Sequence, residues 1–325
     1  MYLLLFIALA SLMSPAASKI LANFVMPHGG IALDPTHFNT TSPAALEQAW
    51  EIHRASKQVG EEIAALKPDL IVLSTPHGVS DLRNFLLYLN PLASGIADTD
   101  NCHCPPCCYN VSVSVDTEMS QSIVEALGYE KNVSGLSAFG PPSRSSAPFP
   151  LRWGEVIPFH FIPGLNEFKV VILSHPSPRY THHARMVPEL LSLGSSLYSI
   201  LETSPKRVVV IISCDLAHTH SASGPYGYSN ASEPFDEACG KWATTLQADY
   251  LLTTATSLVD RARSCGYTGL VTLHGLLEAG GITSWNASLR VNLHPSYYGM
   301  IVASFYRSQA CPVSSYLVTS RTCNL

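Results

Sequence analysis

Charge is scarce in this chain. Only 13% of its 325 residues are Asp, Glu, Lys or Arg, and the net charge is -5. No basic run or stripe is visible, which leaves nucleic-acid binding without its electrostatic footing. Long apolar runs are also missing. After the first 18 residues no stretch is long enough to suggest a membrane span, and the C-terminus lacks the tail of a glycolipid anchor. Internal repeats and charged linkers are absent, so the length suits one large domain or two small ones.

What is present points to export. Residues 1–18, "MYLLLFIALASLMSPAAS", set a short apolar run before small residues, the pattern of a signal peptide. No Lys or Arg precedes the run, and an uncleaved anchor is the alternative. The expectation is a signal peptide over 1–18 and one domain over 19–325. Asn39, Asn110, Asn132, Asn230 and Asn286 each begin an N-x-S/T triplet and are candidate glycosylation sites. Cys102, Cys104, Cys107 and Cys108 crowd into "CHCPPCC", with Cys311 and Cys323 in the tail. In an oxidising compartment these six can form three disulfides; a soft-metal site is the rival reading of the cluster. Together these features predict a secreted or lumenal protein.

The rest alternates strand and helix. Strands are expected at 21–26, 70–75, 169–174, 207–213 and 299–306, several of them near-continuous β-branched runs that suit burial on both faces. Ser42 followed by Pro43 predicts a helix start, and Pro68 its stop; further helices are expected at about 186–203, 233–247 and 268–279. Loop-like insertions are expected at about 91–111 and 132–152. This alternation predicts a single α/β domain with a central, mostly parallel or mixed sheet flanked by helices.

Four of the strands run into histidine: "FVMPH" (His28), "IVLSTPH" (His77), "VVILSH" (His175) and "VVVIISCDLAH" (His218). Ligands of open α/β sheets bind beyond the carboxyl ends of the strands. If these strands are parallel, four imidazoles meet at one edge, each on a rigid mount. Glycine after His28 and His77 would let another group approach closely. Imidazole is both a common metal ligand and the usual proton carrier near neutral pH. Each ring could instead simply cap its strand.

The ordered set "VMPHGG", "LIVLSTPHG", "WGEVIPF", "VVIISCDLAH" and "HPSYYGMIVASF" resembles the class III extradiol ring-cleavage dioxygenase superfamily, which includes the Memo proteins. The resemblance implies metal binding by His28 and His77, with His218 as acid/base or as a substrate contact. It implies Fe(II), O2 and a small catechol-like substrate. The family fold often pairs subunits, so a homo-oligomer is compatible, but no surface in the sequence announces one. The dioxygenases add a glutamate as third ligand. Here the matching segment "RARSCGYTGLVTLHGLLE" offers Cys265 instead, which resembles the Memo branch and suits copper or zinc as well as iron. A disulfide to Cys214 or Cys239, or an inert thiol, is the alternative for Cys265. Glu278 is expected to face solvent. Asp215 is expected to orient His218 by accepting its ring proton, or to cap a turn. The segment "LRWGEVIPF" is read as strand, and Trp153 either stacks on a flat substrate or lies in the core, with the core preferred. His175 is assigned to substrate contact, His220 is a reserve proton carrier, and His182 and His183 are expected on the surface.

Overall fold

The structure, a computed structural model, describes residues 18–138 and 147–308. The first half contains β1 (Ile20–Met26), α1 (Pro43–Leu66), β2 (Leu70–Thr75), β3 (Phe85–Tyr88), β4 (Leu92–Ala97) and β5 (Tyr109–Val115). Next come α2 (Thr117–Lys131), β6 (Val133–Leu136), β7 (Phe149–Leu151), α3 (Trp153–His160), β8 (Lys169–Ser174) and α4 (His183–Thr203). The last part holds β9 (Val208–Ser213), α5 (Ser232–Thr245), α6 (Thr256–Ala262), α7 (Tyr267–Ala279), β10 (Trp285–Leu293) and β11 (Met300–Arg307).

The eleven strands form one mixed sheet, ordered β10-β11-β1-β9-β2-β8-β5-β4-β7, with β3 and β6 branching from β8. Its centre is parallel: β1 pairs β9, β9 pairs β2 and β2 pairs β8. Their carboxyl ends therefore share one edge, as the alternation in the sequence predicts. Each central strand sends alternate side chains to opposite faces. Val72, Val210 and Ile212 pack on one side with α4 and α7, through Leu190 and Leu270. Ile71, Leu73 and Ile211 pack on the other with α1 and α3, through Ile52 and Val156. Leu73, Ile172 and Ile211 are fully buried, each worth roughly 1.5–3 kcal/mol relative to exposure.

Local signals explain the best-predicted elements. The Ser42 hydroxyl accepts from Ala45 N at 3.2 Å, with Pro43 in the first turn of α1. Lys67, in the left-handed conformation with φ 47°, ends the helix before Pro68.

Three expectations change. The segment expected as loop at 91–111 contains β4 and the start of β5, paired antiparallel. Within the 132–152 segment lie β6 and β7. "WGEVIPF" is helical rather than strand. The Glu155 carboxylate accepts from Arg152 N at 2.9 Å and closes the first turn of α3. Among the described residues no helix is long and apolar enough to cross a membrane. Disulfides join Cys102 to Cys107 and Cys104 to Cys108, so the cysteine cluster is bridged; Cys311, Cys323 and residues 1–17 lie outside the described residues. The five sequon asparagines are exposed.

Candidate metal centre

Four segments bring the site together. β1 ends in Pro27-His28 and β2 in Pro76-His77; the segment after β9 carries Asp215 and His218, and the turn before α7 carries Cys265. His28, His77 and Cys265 each offer a ligand atom, and these three atoms lie within 4.8 Å of one another. The His28 and His77 rings meet edge to face with centroids 4.6 Å apart.

The His28 ring is held in one tautomer. Ser213 Oγ lies 2.6 Å from the Gly154 carbonyl, which can only accept, so the single hydroxyl proton goes there. Ser213 Oγ must then accept from His28 Nδ1–H at 2.8 Å. The lone pair of Nε2 is left facing Cys265 Sγ at 3.1 Å. The same logic fixes His218: its Nδ1 lies 2.9 Å from the Leu216 carbonyl, so Nδ1 donates. Its Nε2 is the acceptor and sits 4.0 Å from Cys265 Sγ. Tyr180 Oη lies 2.8 Å from His77 Nδ1 and can pass its own proton to the Pro76 carbonyl at 3.3 Å, freeing His77 Nε2.

Electrostatics favour neutral rings here. Burial, then the neighbouring His77 and His218, pushes His28 well below its usual range. Burial and the Arg179 guanidinium take His77 down to about 3. His218 is lowered to about 4, chiefly by burial. Burial raises Asp215 to about 8 and the Cys265 thiol well above its ordinary value. The contact of 3.4 Å between His28 Nε2 and Asp215 Oδ2 is thus not an ion pair at neutral pH.

Glycine permits the close packing. A Cβ on Gly29 would strike the Tyr298 ring, and one on Gly266 would strike Cys214 Sγ. The first lets Tyr298 close over the strand end beside His28. The second seats the Cys265 turn against Asp215, whose carbonyl accepts Gly266 N at 3.0 Å. Above the site opens a cavity of about 630 Å³, within the range of small-molecule pockets. Its lining includes Trp153, Tyr226, Tyr297, Tyr298 and the carboxylates of Asp98, Asp100 and Asp215, with no Lys or Arg among the described residues.

Several assigned residues sit elsewhere or act differently. His175 is buried, with Nε2 2.8 Å from Ser74 Oγ, and does not line the cavity, because its ring turns inward against Phe85. Asp215 does not hold His218; its Oδ1 accepts His28 N at 3.1 Å, and Leu216 O has taken the His218 ring proton. Trp153 is 40% exposed at the cavity rather than in the core. His220 points away, its Nε2 2.8 Å from Asp236 Oδ2. His182 is exposed as expected, but His183 is buried against Asp260. Glu278 faces solvent. Cys214, Cys239 and Cys265 are buried and unpaired among the described residues. Ser213, Tyr180 and Tyr298 escaped the sequence reading. A serine ending an otherwise apolar buried strand was the one signal available for Ser213.

The family described as the catalytic LigB subunit of aromatic ring-opening dioxygenase matches residues 24–303. Protein CA_C1420 of Clostridium acetobutylicum is 25% identical over 247 residues, covering 73% of this chain and 50% of its own length. The chain thus spans about half the length of that relative. The crystal structure of the uncharacterized protein JW3007 from Escherichia coli K12 superposes with a TM-score of 0.51 at 16% identity. That likeness covers 87% of this chain and 99% of the other, and concerns the fold alone.

Proposed function

The chain belongs to the family of the catalytic LigB subunit of aromatic ring-opening dioxygenases, and from that membership we propose that it is a metal-dependent oxidoreductase that opens a small catechol-like ring with O2. The observation that carries the reading is the convergence of His28, His77 and Cys265 ligand atoms beneath the cavity, with two histidine tautomers set by fixed acceptors. The donor set fits a single ion: two imidazoles and a thiolate suit iron, copper or zinc. Fe(II) bound there would supply the redox and Lewis-acid chemistry that lets O2 react with a catechol.

The chain's own groups have distinct tasks. His218 Nε2, free of its own proton, accepts one from a substrate hydroxyl. Trp153 and Tyr226 offer flat faces at the cavity for an aromatic ring. Asp98 and Asp100 at the cavity, with no Lys or Arg in its described lining, disfavour acidic catechols and favour neutral or amine-bearing ones. Export as a glycoprotein is part of the same proposal, supported by the two disulfides and the five exposed sequon asparagines, with residues 1–18 as signal peptide.

A second reading rests on Cys265. A thiolate in place of the carboxylate favours softer ions, and supports a Memo-like copper, iron or zinc protein with a redox or partner-binding role and no ring cleavage. Metal analysis of the chain purified under nitrogen without chelators, followed by oxygen uptake on catechol and dopamine, separates the two. About one iron per chain and uptake with ring-opened product supports the dioxygenase. Copper or zinc without uptake on either compound sinks it and leaves the second reading.

A further inference from the structure

Behind the segment that carries His218 lies a second group of metal-ligating side chains. His220, Glu233 and His294 come from the loop after β9, the first turn of α5 and the turn between β10 and β11. Their ligand atoms lie within 4.8 Å of one another. His294 Nε2 is 3.1 Å from Glu233 Oε2, and His220 Nδ1 is 4.0 Å from the same oxygen.

The His220 ring is oriented from behind. Its Nε2–H donates to Asp236 Oδ2 at 2.8 Å, and Asp236 Oδ1 accepts Ala217 N at 2.9 Å, so the carboxylate is held on both oxygens. Both His220 and Asp236 side chains are nearly buried, at 5% and 6% exposure. With Nε2 committed to Asp236, Nδ1 is the nitrogen turned toward Glu233. A carboxylate that grips the far nitrogen of a histidine is the usual support of a metal-ligating imidazole. The His220 and His294 rings stack with centroids 3.9 Å apart and planes 6° from parallel. An imidazole lone pair lies in its ring plane, so joint ligation of one ion requires the His294 ring, 41% exposed, to turn out of the stack while His220 stays fixed.

We propose that His220, Glu233 and His294 form a second metal site, of zinc type, separate from the His28–His77–Cys265 centre. Zn²⁺ takes N and O donors at about 2.0–2.2 Å in tetrahedral array, which puts donor atoms roughly 3.3 Å apart. The His294–Glu233 pair already meets that spacing. The wider His220–Glu233 gap closes by rotation of Glu233, whose side chain is 74% exposed. The fourth position is open to water. The role follows from what the ligands join. His220 N donates to the Tyr297 carbonyl at 3.0 Å, and Gly299 N to the Ala217 carbonyl at 2.8 Å. An ion here pins the His218 segment to the turn bearing Tyr297 and Tyr298, all of which line the cavity.

Zinc titration of the metal-stripped full chain, with zinc counted per chain after gel filtration, tests the proposal. The expected contents are two for wild type, one for His294→Ala, one for Glu233→Gln, one for Cys265→Ser and none for Cys265→Ser/His294→Ala. Both His294 and Glu233 are surface-exposed, so the single variants should fold. Cobalt(II) separates the sites by spectrum: the thiolate charge-transfer band belongs to the Cys265 site and must survive in His294→Ala. In the Cys265→Ser background, zinc should raise the melting temperature, and His294→Ala should abolish that rise. If His294→Ala and Glu233→Gln both keep the wild-type zinc content, the site does not exist.

Discussion

Replacing Ser213 with alanine is the sharpest test of how the metal centre is prepared. The hydroxyl makes two buried hydrogen bonds, to the Gly154 carbonyl at 2.6 Å and from His28 Nδ1 at 2.8 Å. Ser213 is fully buried, so alanine leaves both partners without water. Orphaning a buried polar group costs about 1–3 kcal/mol. Two such groups, one of them able to rotate or change tautomer, give a loss of roughly 2–4 kcal/mol in folding stability. The effect on metal is separate. Without the serine, nothing holds the ring proton on Nδ1, and His28 can carry it on Nε2, which blocks the ligand position. Loss of such a support typically weakens metal binding 10–100-fold, about 1.4–2.7 kcal/mol. Urea denaturation reads the first effect, and competition against a chromophoric chelator reads the second. Imidazole ¹⁵N shifts of the metal-free protein should show His28 protonated on Nδ1 in the wild type and mixed in Ser213→Ala. Should the variant lose stability yet bind metal as tightly as wild type, the tautomer argument is wrong and Ser213 is only a buried hydrogen-bonding group.

Further outcomes follow from the same geometry. His218→Gln should keep its metal and, if the protein turns over a catechol, lose about 10²–10⁴ of its rate, read by oxygen uptake; loss of metal instead would make His218 a ligand. Because burial keeps the Cys265 thiol protonated at neutral pH, metal binding must release its proton. Affinity should therefore rise about tenfold per pH unit between pH 6 and 8, measured by competition titration, and the slope should fall in Cys265→Ser. Glu155, raised by burial from 4.5 to about 7, binds a proton more readily folded than unfolded. Stability should then fall as pH rises from about 4.5 to 7, by roughly 3 kcal/mol from this group. Denaturation of Glu155→Gln over that range should lack the decline; an equally steep curve would place it on other groups.

Much of the framework was legible because its signals are local. Ser42-Pro43 and Pro68 bracket α1, and the β-branched runs mark β2, β8 and β9. The missed elements carry weaker marks. β4 reads "LASGIA", with a glycine and half-exposed positions, and gains its place from pairing along β5. α3 contains Pro158 and an apolar stretch that suits strand or helix alike; burial of Glu155 at its start decides the matter. Such tertiary decisions leave no period in the sequence.

The candidate site divides along the same line. His28, His77 and His218 were readable because a parallel sheet sends its strand ends to one edge, and a residue just past such a strand inherits that place. Cys265 was readable only through resemblance, since no strand delivers it. What the sequence could not assign is orientation. Asp215 and His175 sit at strand ends as surely as His28 does, yet Asp215 turns to the His28 backbone and His175 turns into the core toward Ser74. In each case the choice lies with acceptors that a residue pattern does not display: the Leu216 carbonyl holds the His218 ring, and the Gly154 carbonyl, acting through Ser213, holds His28. Both acceptors are main-chain oxygens, which any residue would supply. The side chains at those two positions are therefore free of the ring-orienting task, and a search for the polar residue that orients His218 was bound to settle on the wrong neighbour.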